Sequence, residues 1–80
     1  MLSELKTAKK VVGVKQLKKA LLNGSAIHVF LAHDADPQLT DPIRLLCSEA
    51  SVPFTDDVSM EALGAACGIQ VRAAAAALVK

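Results

Sequence analysis

The sequence predicts one α/β domain over residues 1–80, built as a three-layer α/β/α sandwich. The chain has 80 residues, of which 52% are hydrophobic and 21% charged, a composition typical of a single globular domain. Residues 26–32 form a near-continuous apolar run that favours a strand covered on both faces. Segments with helical spacing alternate with such apolar runs along the chain, which indicates helices packed on both sides of a sheet.

The N-terminal segment is predicted to be a short helix over residues 3–10. Leu2, Leu5 and Ala8 recur every three residues, as expected for one apolar face of a helix. Val11 and Val12 then interrupt the pattern and favour a brief strand.

A second helix is predicted over residues 15–22, and Gly13 separates it from the preceding segment. Its expected buried side chains are Leu17, Ala20 and Leu21. Asn23 and Gly24 follow the last apolar position and are typical of a helix end.

The middle of the chain continues the alternation. Residues 34–37 predict a turn, and Asp41 followed by Pro42 predicts the start of a helix, with the Asp as its cap. Helical spacing then continues through Ile43, Leu46, Cys47 and Ala50. Residues 52–54 (Val-Pro-Phe) predict a short strand.

The C-terminal third is predicted to hold one helix and a final strand. Ser59 can cap a helix that runs to Cys67 and ends at Gly68. Ala73–Ala77 favour a helix by propensity, but the alternation of elements favours a strand. Small alanine side chains would let helices pack closely on both faces of that strand.

Charge is distributed unevenly, although the net charge is only +1. Residues 1–30 hold six lysines and one acid, whereas residues 31–80 hold three basic residues and seven acids. Such a basic end is suited to an anionic partner. With two Phe and neither Trp nor Tyr, the chain lacks the aromatic platforms on which single-strand binders stack bases.

The sequence predicts that several features of other protein classes are absent. We expect no membrane span and no signal peptide, because no run of about 18 apolar residues occurs and lysines interrupt the N-terminus. Cys47 and Cys67 lack metal-ligand spacing, so we expect two buried thiols in a reducing cytoplasm. We expect no cofactor.

No catalytic or metal-binding residues are predicted. His28 and His33 have no acid–base partner at catalytic spacing, and His28 lies inside an apolar strand. Asp34, Asp36 and Asp41 are better explained by turn and cap roles than by metal binding. We therefore expect a binding protein and not an enzyme.

The first candidate binding segment is residues 13–19. A helix that starts after Gly13 would present free N–H groups and a positive dipole end, which favour phosphate. Lys15 and Lys19 share one helix face, and Gln16 can both donate to and accept from a base edge. An ordinary solvated basic helix face remains the alternative.

The second candidate segment is residues 63–72. Gly64 and Gly68 flank a helix end, and the branched residues Ile69 and Val71 follow in a predicted loop. Exposed branched residues could press against a nucleotide base or sugar. Alternatively, they fold back into the core.

The sequence resembles the L-seven-Ae ribosomal protein family, which binds kink-turn RNA, and in particular its small bacterial members of the YbxF type. The family signature G-x-(N/K)-(E/Q)-x-x-K is matched by Gly13, Lys15, Gln16 and Lys19. The Asp-Pro turn is matched by residues 34–37 and the V-P-(Y/F) strand by residues 52–54. The L-G-x-A-x-G-(I/V) loop is matched by Leu63, Gly64, Ala66, Gly68 and Ile69. All four motifs occur in family order across nearly the whole chain.

The resemblance implies a mixed four-stranded sheet and an RNA ligand with a bulge beside tandem sheared G·A pairs. The implied RNA-binding residues are Gly13, Val14, Lys15, Gln16, Lys19, Ile69, Gln70, Val71 and Arg72. Val14 replaces the usual Thr or Ser, which removes a hydroxyl contact, and Arg72 stands where small residues are common. We expect a monomer in the cytoplasm, with the ribosome among its settings.

Two other functions are compatible with the sequence. The chain could be the RNA-recognition module of an RNA-modifying enzyme, which its short length disfavours. It could also be a protein-interaction module that docks an acidic partner through the basic helix and the loop at Ile69–Val71.

Overall fold

The structure is a computed structural model that describes residues 9–80. The elements in chain order are β1 (Lys10–Val12), α1 (Val14–Leu22), β2 (Ala26–Ala32), α2 (Pro37–Ala50), β3 (Phe54–Val58), α3 (Met60–Ala66) and β4 (Ala75–Val79). Most of the helix predicted over residues 3–10 lies outside the described residues. Its last residue, Lys10, belongs to β1 and not to a helix.

The four strands form one mixed sheet in the order β1-β4-β2-β3. Strand β4 pairs antiparallel with both β1 and β2, while β2 pairs parallel with β3. Helices α1 and α2 cover one face and α3 covers the other, so the predicted three-layer sandwich with a mixed four-stranded sheet is confirmed.

Two apolar clusters lie on opposite faces of the sheet. The cluster under α1 and α2 contains Leu17, Ala20, Leu21, Ala26, Val29, Leu31, Ile43, Cys47, Ala75 and Ala77. The cluster under α3 contains Phe30, Ala32, Ala35, Val58, Leu63, Cys67, Ala73, Ala76 and Leu78. The predicted buried side chains of α1 are therefore confirmed.

Strand β4 shows why an alanine run forms a strand here. Ala75 and Ala77 face one cluster while Ala76 and Leu78 face the other, as the two-residue period of a strand requires. Small side chains on both faces let the helical layers approach the sheet closely. The strand prediction is confirmed, because packing on both faces outweighs local helix propensity.

Helix α2 begins five residues earlier than predicted. The Asp36 carboxylate accepts a hydrogen bond from the Gln38 amide at 2.9 Å, and Pro37 occupies the first helical position. The prediction of a start at Asp41 was wrong because the same Asp-Pro signal occurs twice. Pro42 lies inside the helix, where its missing N–H leaves the Gln38 carbonyl without its usual partner.

The predicted position of strand β3 was also wrong. It was predicted at residues 52–54 but runs from Phe54 to Val58. The Val29 amide donates to the Pro53 carbonyl at 3.0 Å, and pairing with β2 then continues beyond it. β3 is an edge strand whose sequence is mostly exposed and polar. The sequence therefore has no apolar pattern that would indicate how far the strand extends.

None of the helices within residues 9–80 is both long and apolar enough to cross a membrane.

Candidate nucleic-acid interface

The two candidate segments lie near the same end of the sheet, where β1 ends and β4 begins. The Gly13 amide donates a hydrogen bond to the Ala75 carbonyl oxygen at 2.9 Å, which joins the start of α1 to the start of β4. Arg72 precedes Ala75 by three residues, so at most about 11 Å of extended chain separates them. The start of α1 and the end of the loop at residues 68–74 are therefore neighbours.

Gly13 adopts a backbone conformation that favours glycine. Its φ of +103° is a conformation that residues with a side chain rarely adopt. This conformation turns the chain from β1 directly into α1. The signature glycine is therefore explained by the local geometry of a strand-to-helix connection.

The first turn of α1 presents an electropositive surface. No side chain caps the helix, and its first turn contains no acidic residue. Lys15, Gln16 and Lys19 are exposed, whereas Val14 and Lys18 are partly buried. Within residues 9–80, none of these three lysines forms an ion pair. Free N–H groups, the helix dipole and the lysines together favour a negatively charged ligand.

The loop at residues 68–74 runs back along α3. Ser59 caps this helix by accepting from the Ala62 amide at 3.0 Å, as predicted. The loop is held at two points, since the Ile69 amide donates to the Gly64 carbonyl at 3.1 Å and the Ala73 amide to the Met60 carbonyl, also at 3.1 Å. Its backbone is thus fixed without forming regular structure.

The loop side chains divide between core and solvent. Ile69 is partly buried and packs against the cluster under α3, so the prediction that it is exposed was wrong and the alternative was right. Val71 is 70% exposed, as predicted, and Gln70 and Arg72 are also exposed. Ile69 supports the loop from below, and the next three side chains form its outer surface.

An open pocket of about 390 Å³ lies between α3 and this loop. It is lined by Glu61, Ala65, Ile69, Gln70, Val71 and Arg72. Sequence reasoning missed Glu61 and Ala65, since both are exposed on a helix face that looked merely solvated. Their spacing of four residues on one helix was the available signal.

The side chains that could have formed a catalytic or metal site have structural roles. Asp34 lies in the predicted turn after β2, and its carboxylate also accepts a hydrogen bond from the Met60 amide at 2.7 Å. Asp36 caps α2, so its predicted cap role is confirmed. The predicted cap role of Asp41 was wrong, because its carboxylate pairs with Arg44 at 3.7 Å. The His28 Nε2 hydrogen-bonds the Thr55 hydroxyl at 2.8 Å. Among residues 9–80, no three His, Cys, Asp or Glu residues are grouped to hold a metal ion.

Both cysteines are buried free thiols. Burial raises the pKa of Cys47 and of Cys67, and nearby Lys10 partly opposes the shift at Cys67. A raised pKa keeps a thiol protonated and unreactive at neutral pH. The predicted burial of both thiols is confirmed.

The fold and the interface define a class of protein: a small α/β/α domain with a basic helix start beside a loop at one end of the sheet. A family model described as "Ribosomal protein L7Ae/L30e/S12e/Gadd45 family" matches residues 2–80. The chain therefore belongs to this family, which confirms the resemblance drawn from its motifs.

Individual relatives match over nearly the whole chain. An RNA-binding protein of Geobacillus sp. (strain WCH70) is 47% identical over 76 residues, which is 95% of this chain and 93% of that protein. The RNA-binding protein YbxF of Geobacillus stearothermophilus is 43% identical over 76 residues, with the same coverage. The Giardia lamblia 15.5kD RNA binding protein superposes with a TM-score of 0.90 at 30% identity, covering 99% of this chain and 70% of that one.

Proposed function

We propose that this protein binds structured RNA and recognises kink-turns, in which a bulge is flanked by tandem sheared G·A pairs. The observation that carries the proposal is the Gly13–Ala75 hydrogen bond, which holds a basic helix start next to the loop at residues 69–72. One ligand can then contact both segments at once. The relatives named as RNA-binding proteins support the same class of ligand.

The start of α1 would contact the G·A pairs. The major groove of regular A-form RNA is too narrow for side chains, but non-standard pairs open it. Lys15 and Gln16 are exposed at the helix tip and would donate to the guanine edges. Gly13 and Val14 would lie close to the RNA backbone, and Lys19, one turn further along, would neutralise phosphates.

The loop would cover the bulged nucleotides. Val71 would present an apolar surface to a base or sugar, since 70% of its surface is exposed. Gln70 would offer a donor and an acceptor, and Arg72 would pair with a phosphate. Ile69 would act mainly by anchoring the loop to the core.

The mechanism would be selection of a bent RNA state. Free RNA exchanges between extended and kinked forms, and a protein that binds only the kinked form shifts the population towards it. The lysines would lower the repulsion between phosphates that the kink brings together. No chemical step is required for this mechanism. The protein would act as a monomer in the cytoplasm, with ribosomal RNA among its candidate ligands.

A gel-shift comparison of two RNAs tests the proposal. One is a kink-turn duplex, and the other is the same duplex with its G·A pairs replaced by Watson–Crick pairs. We expect binding to the first and much weaker binding to the second. Equal binding to both would indicate a general polycation, and binding to neither would favour a protein partner, so either result would overturn the proposal.

A further inference from the structure

His33 lies at the end of the sheet that carries both candidate segments. Its amide donates a hydrogen bond to the Val58 carbonyl at 2.7 Å, and the amide of the preceding residue, Ala32, donates to the Ala74 carbonyl at 2.9 Å. β2 therefore ends directly beside the start of β4. The start of α1 lies on the other side of β4, so about 10 Å, or two strand spacings, separate Gly13 from the end of β2.

The imidazole of His33 is exposed, and within residues 9–80 it takes part in no hydrogen bond, ion pair or ring contact. His28, the other histidine of the chain, differs. Its Nε2 hydrogen-bonds the Thr55 hydroxyl at 2.8 Å, and its ring centre lies 4.8 Å from that of Phe30. Both ring nitrogens of His33 are therefore available to a ligand, while the hydrogen bond to Val58 holds its backbone in place.

We propose that His33 is a further RNA-contacting residue, and that its imidazole binds a phosphate of the RNA that spans the start of α1 and the loop. The inference rests on the proposed function, because it requires an RNA that reaches both segments. It adds a contact just after the end of β2, outside residues 13–19 and 63–72.

A histidine can bind phosphate in two charge states of different strength. Protonated imidazole carries a positive charge and donates from both ring nitrogens, whereas the neutral ring donates from only one. A hydrogen bond to phosphate from a charged donor is shorter and stronger than one from a neutral donor. Since histidine changes its charge near neutral pH, the contact should strengthen as the pH falls.

Charged side chains of both signs lie at the same end of the sheet as His33. They are Asp34 and Asp36 in the turn that follows it, Asp57 near the end of β3, Glu61 on α3, Arg72 in the loop and Lys15 on α1. The two turn carboxylates each accept a hydrogen bond from a backbone amide. Arg72 and Lys15 attract a phosphate and the acids repel it, so a positive charge on His33 shifts the balance towards binding.

The test measures affinity for the kink-turn duplex across a series from about pH 6 to about pH 8, where histidine changes its charge. The proteins are the wild type, His33→Gln and the matched control His28→Gln. Glutamine keeps a hydrogen-bond donor at either position but cannot become charged, and any titration of the RNA itself is common to all three proteins. We expect wild-type affinity to rise about two- to tenfold as the pH falls, and His33→Gln to show no such rise.

A salt series at each end of the pH range identifies the partner of His33 as a phosphate. At about pH 6, where histidine is largely protonated, the log–log slope of the wild type should exceed that of His33→Gln by about 1 in magnitude. At about pH 8, where histidine is neutral, the two slopes should agree. His28→Gln should respond as the wild type does, because His28 bonds to Thr55 within the sheet.

Circular dichroism should show His33→Gln folded, because the side chain of His33 is exposed. Equal pH and salt responses of the wild type and His33→Gln would overturn the inference and leave kink-turn binding intact. A pH response that is lost in His28→Gln and kept in His33→Gln would overturn it as well. Failure of the wild type to bind the duplex at any pH would instead overturn the proposed function together with this inference.

Discussion

Gly64 on α3 lies directly against the carbonyl group of Val71 in the loop. A Cβ atom added to Gly64 would collide with the Val71 oxygen and lie 3.2 Å from its carbonyl carbon and 3.3 Å from the Arg72 Cα. These neighbours are backbone atoms, which cannot move aside without moving the loop. The absence of a side chain at Gly64 therefore sets the position of the loop, and with it one wall of the pocket.

Gly64→Ala should destabilise the protein. Alanine is favoured over glycine inside a helix by about 1 kcal/mol, but the clash with Val71 should cost about 1–3 kcal/mol or more. Urea unfolding should show a net loss of stability and weaker RNA binding. As a control, Ala62→Gly at an exposed site of α3 should cost only about 0.5–1 kcal/mol and leave binding unchanged. A stabilised Gly64→Ala protein would contradict the contact.

Lys15→Ala combined with Gln16→Ala should abolish kink-turn specificity while the fold survives. Both side chains are exposed, so their truncation removes no buried contact. Each bidentate base contact contributes about 1–3 kcal/mol, so affinity should fall at least tenfold by titration of the kink-turn duplex. Lys80→Ala removes an exposed lysine beside Ser25, away from the interface, and should bind normally. Loss of helicity in the double variant would show that these side chains support the fold.

Binding should weaken steeply with salt. Roughly three to five phosphate contacts by lysines and Arg72 predict a log–log slope of about −2 to −4. Arg72→Ala should reduce the magnitude of this slope by about 1, if its guanidinium contacts one phosphate. Affinity measured across a series of KCl concentrations gives the slope, and a value near zero would refute the electrostatic part of the proposal.

Ala77→Leu should be strongly destabilising. Ala77 is fully buried in β4 among residues of α1 and α2, and a larger side chain there costs about 1–3 kcal/mol or more through overpacking. Thermal unfolding should show a lower midpoint than the wild type. The matched variant Ala62→Leu adds the same atoms at an exposed position and should leave the midpoint nearly unchanged. Equal midpoints for both variants would mean that β4 has space beside it.

Cys47 and Cys67 should react slowly with thiol reagents. Burial raises the pKa of both thiols, so the folded protein holds them protonated at pH values where a free cysteine begins to ionise. Labelling of the folded protein near pH 8 should be about a hundredfold or more slower than in denaturant, because it requires local opening. Rapid labelling of either thiol under native conditions would show that its environment is open.

Strongly patterned segments could be predicted from the sequence. Strand β2 and the core residues of α1 were predicted correctly, because each presents a continuous or periodic apolar signal. The start of α2 and the extent of β3 were wrong. Two Asp-Pro pairs gave the same signal for α2, and the polar edge strand β3 gave little signal at all.

The candidate interface could be predicted only in part. The two candidate segments were predicted from their residue chemistry, and the resemblance to the family then assigned roles to individual residues. Those roles in RNA binding stay a prediction. Glu61 was missed because an exposed acid on a helix carries no signal until the loop is seen beside it. Ile69 was wrongly predicted to be exposed, because only the tertiary structure shows that its side chain packs against the cluster under α3.

The sequence by itself determined the alternation of helices and strands, the concentration of positive charge near Gly13 and the family of the protein. These are properties of short segments, and local periodicity and motif spacing are sufficient to reveal them. Only the tertiary structure decided that the start of α1 and residues 69–72 lie at the same end of the sheet, because that placement depends on pairing β4 between β1 and β2. It also decided which loop side chains face solvent, since burial depends on residues distant in sequence.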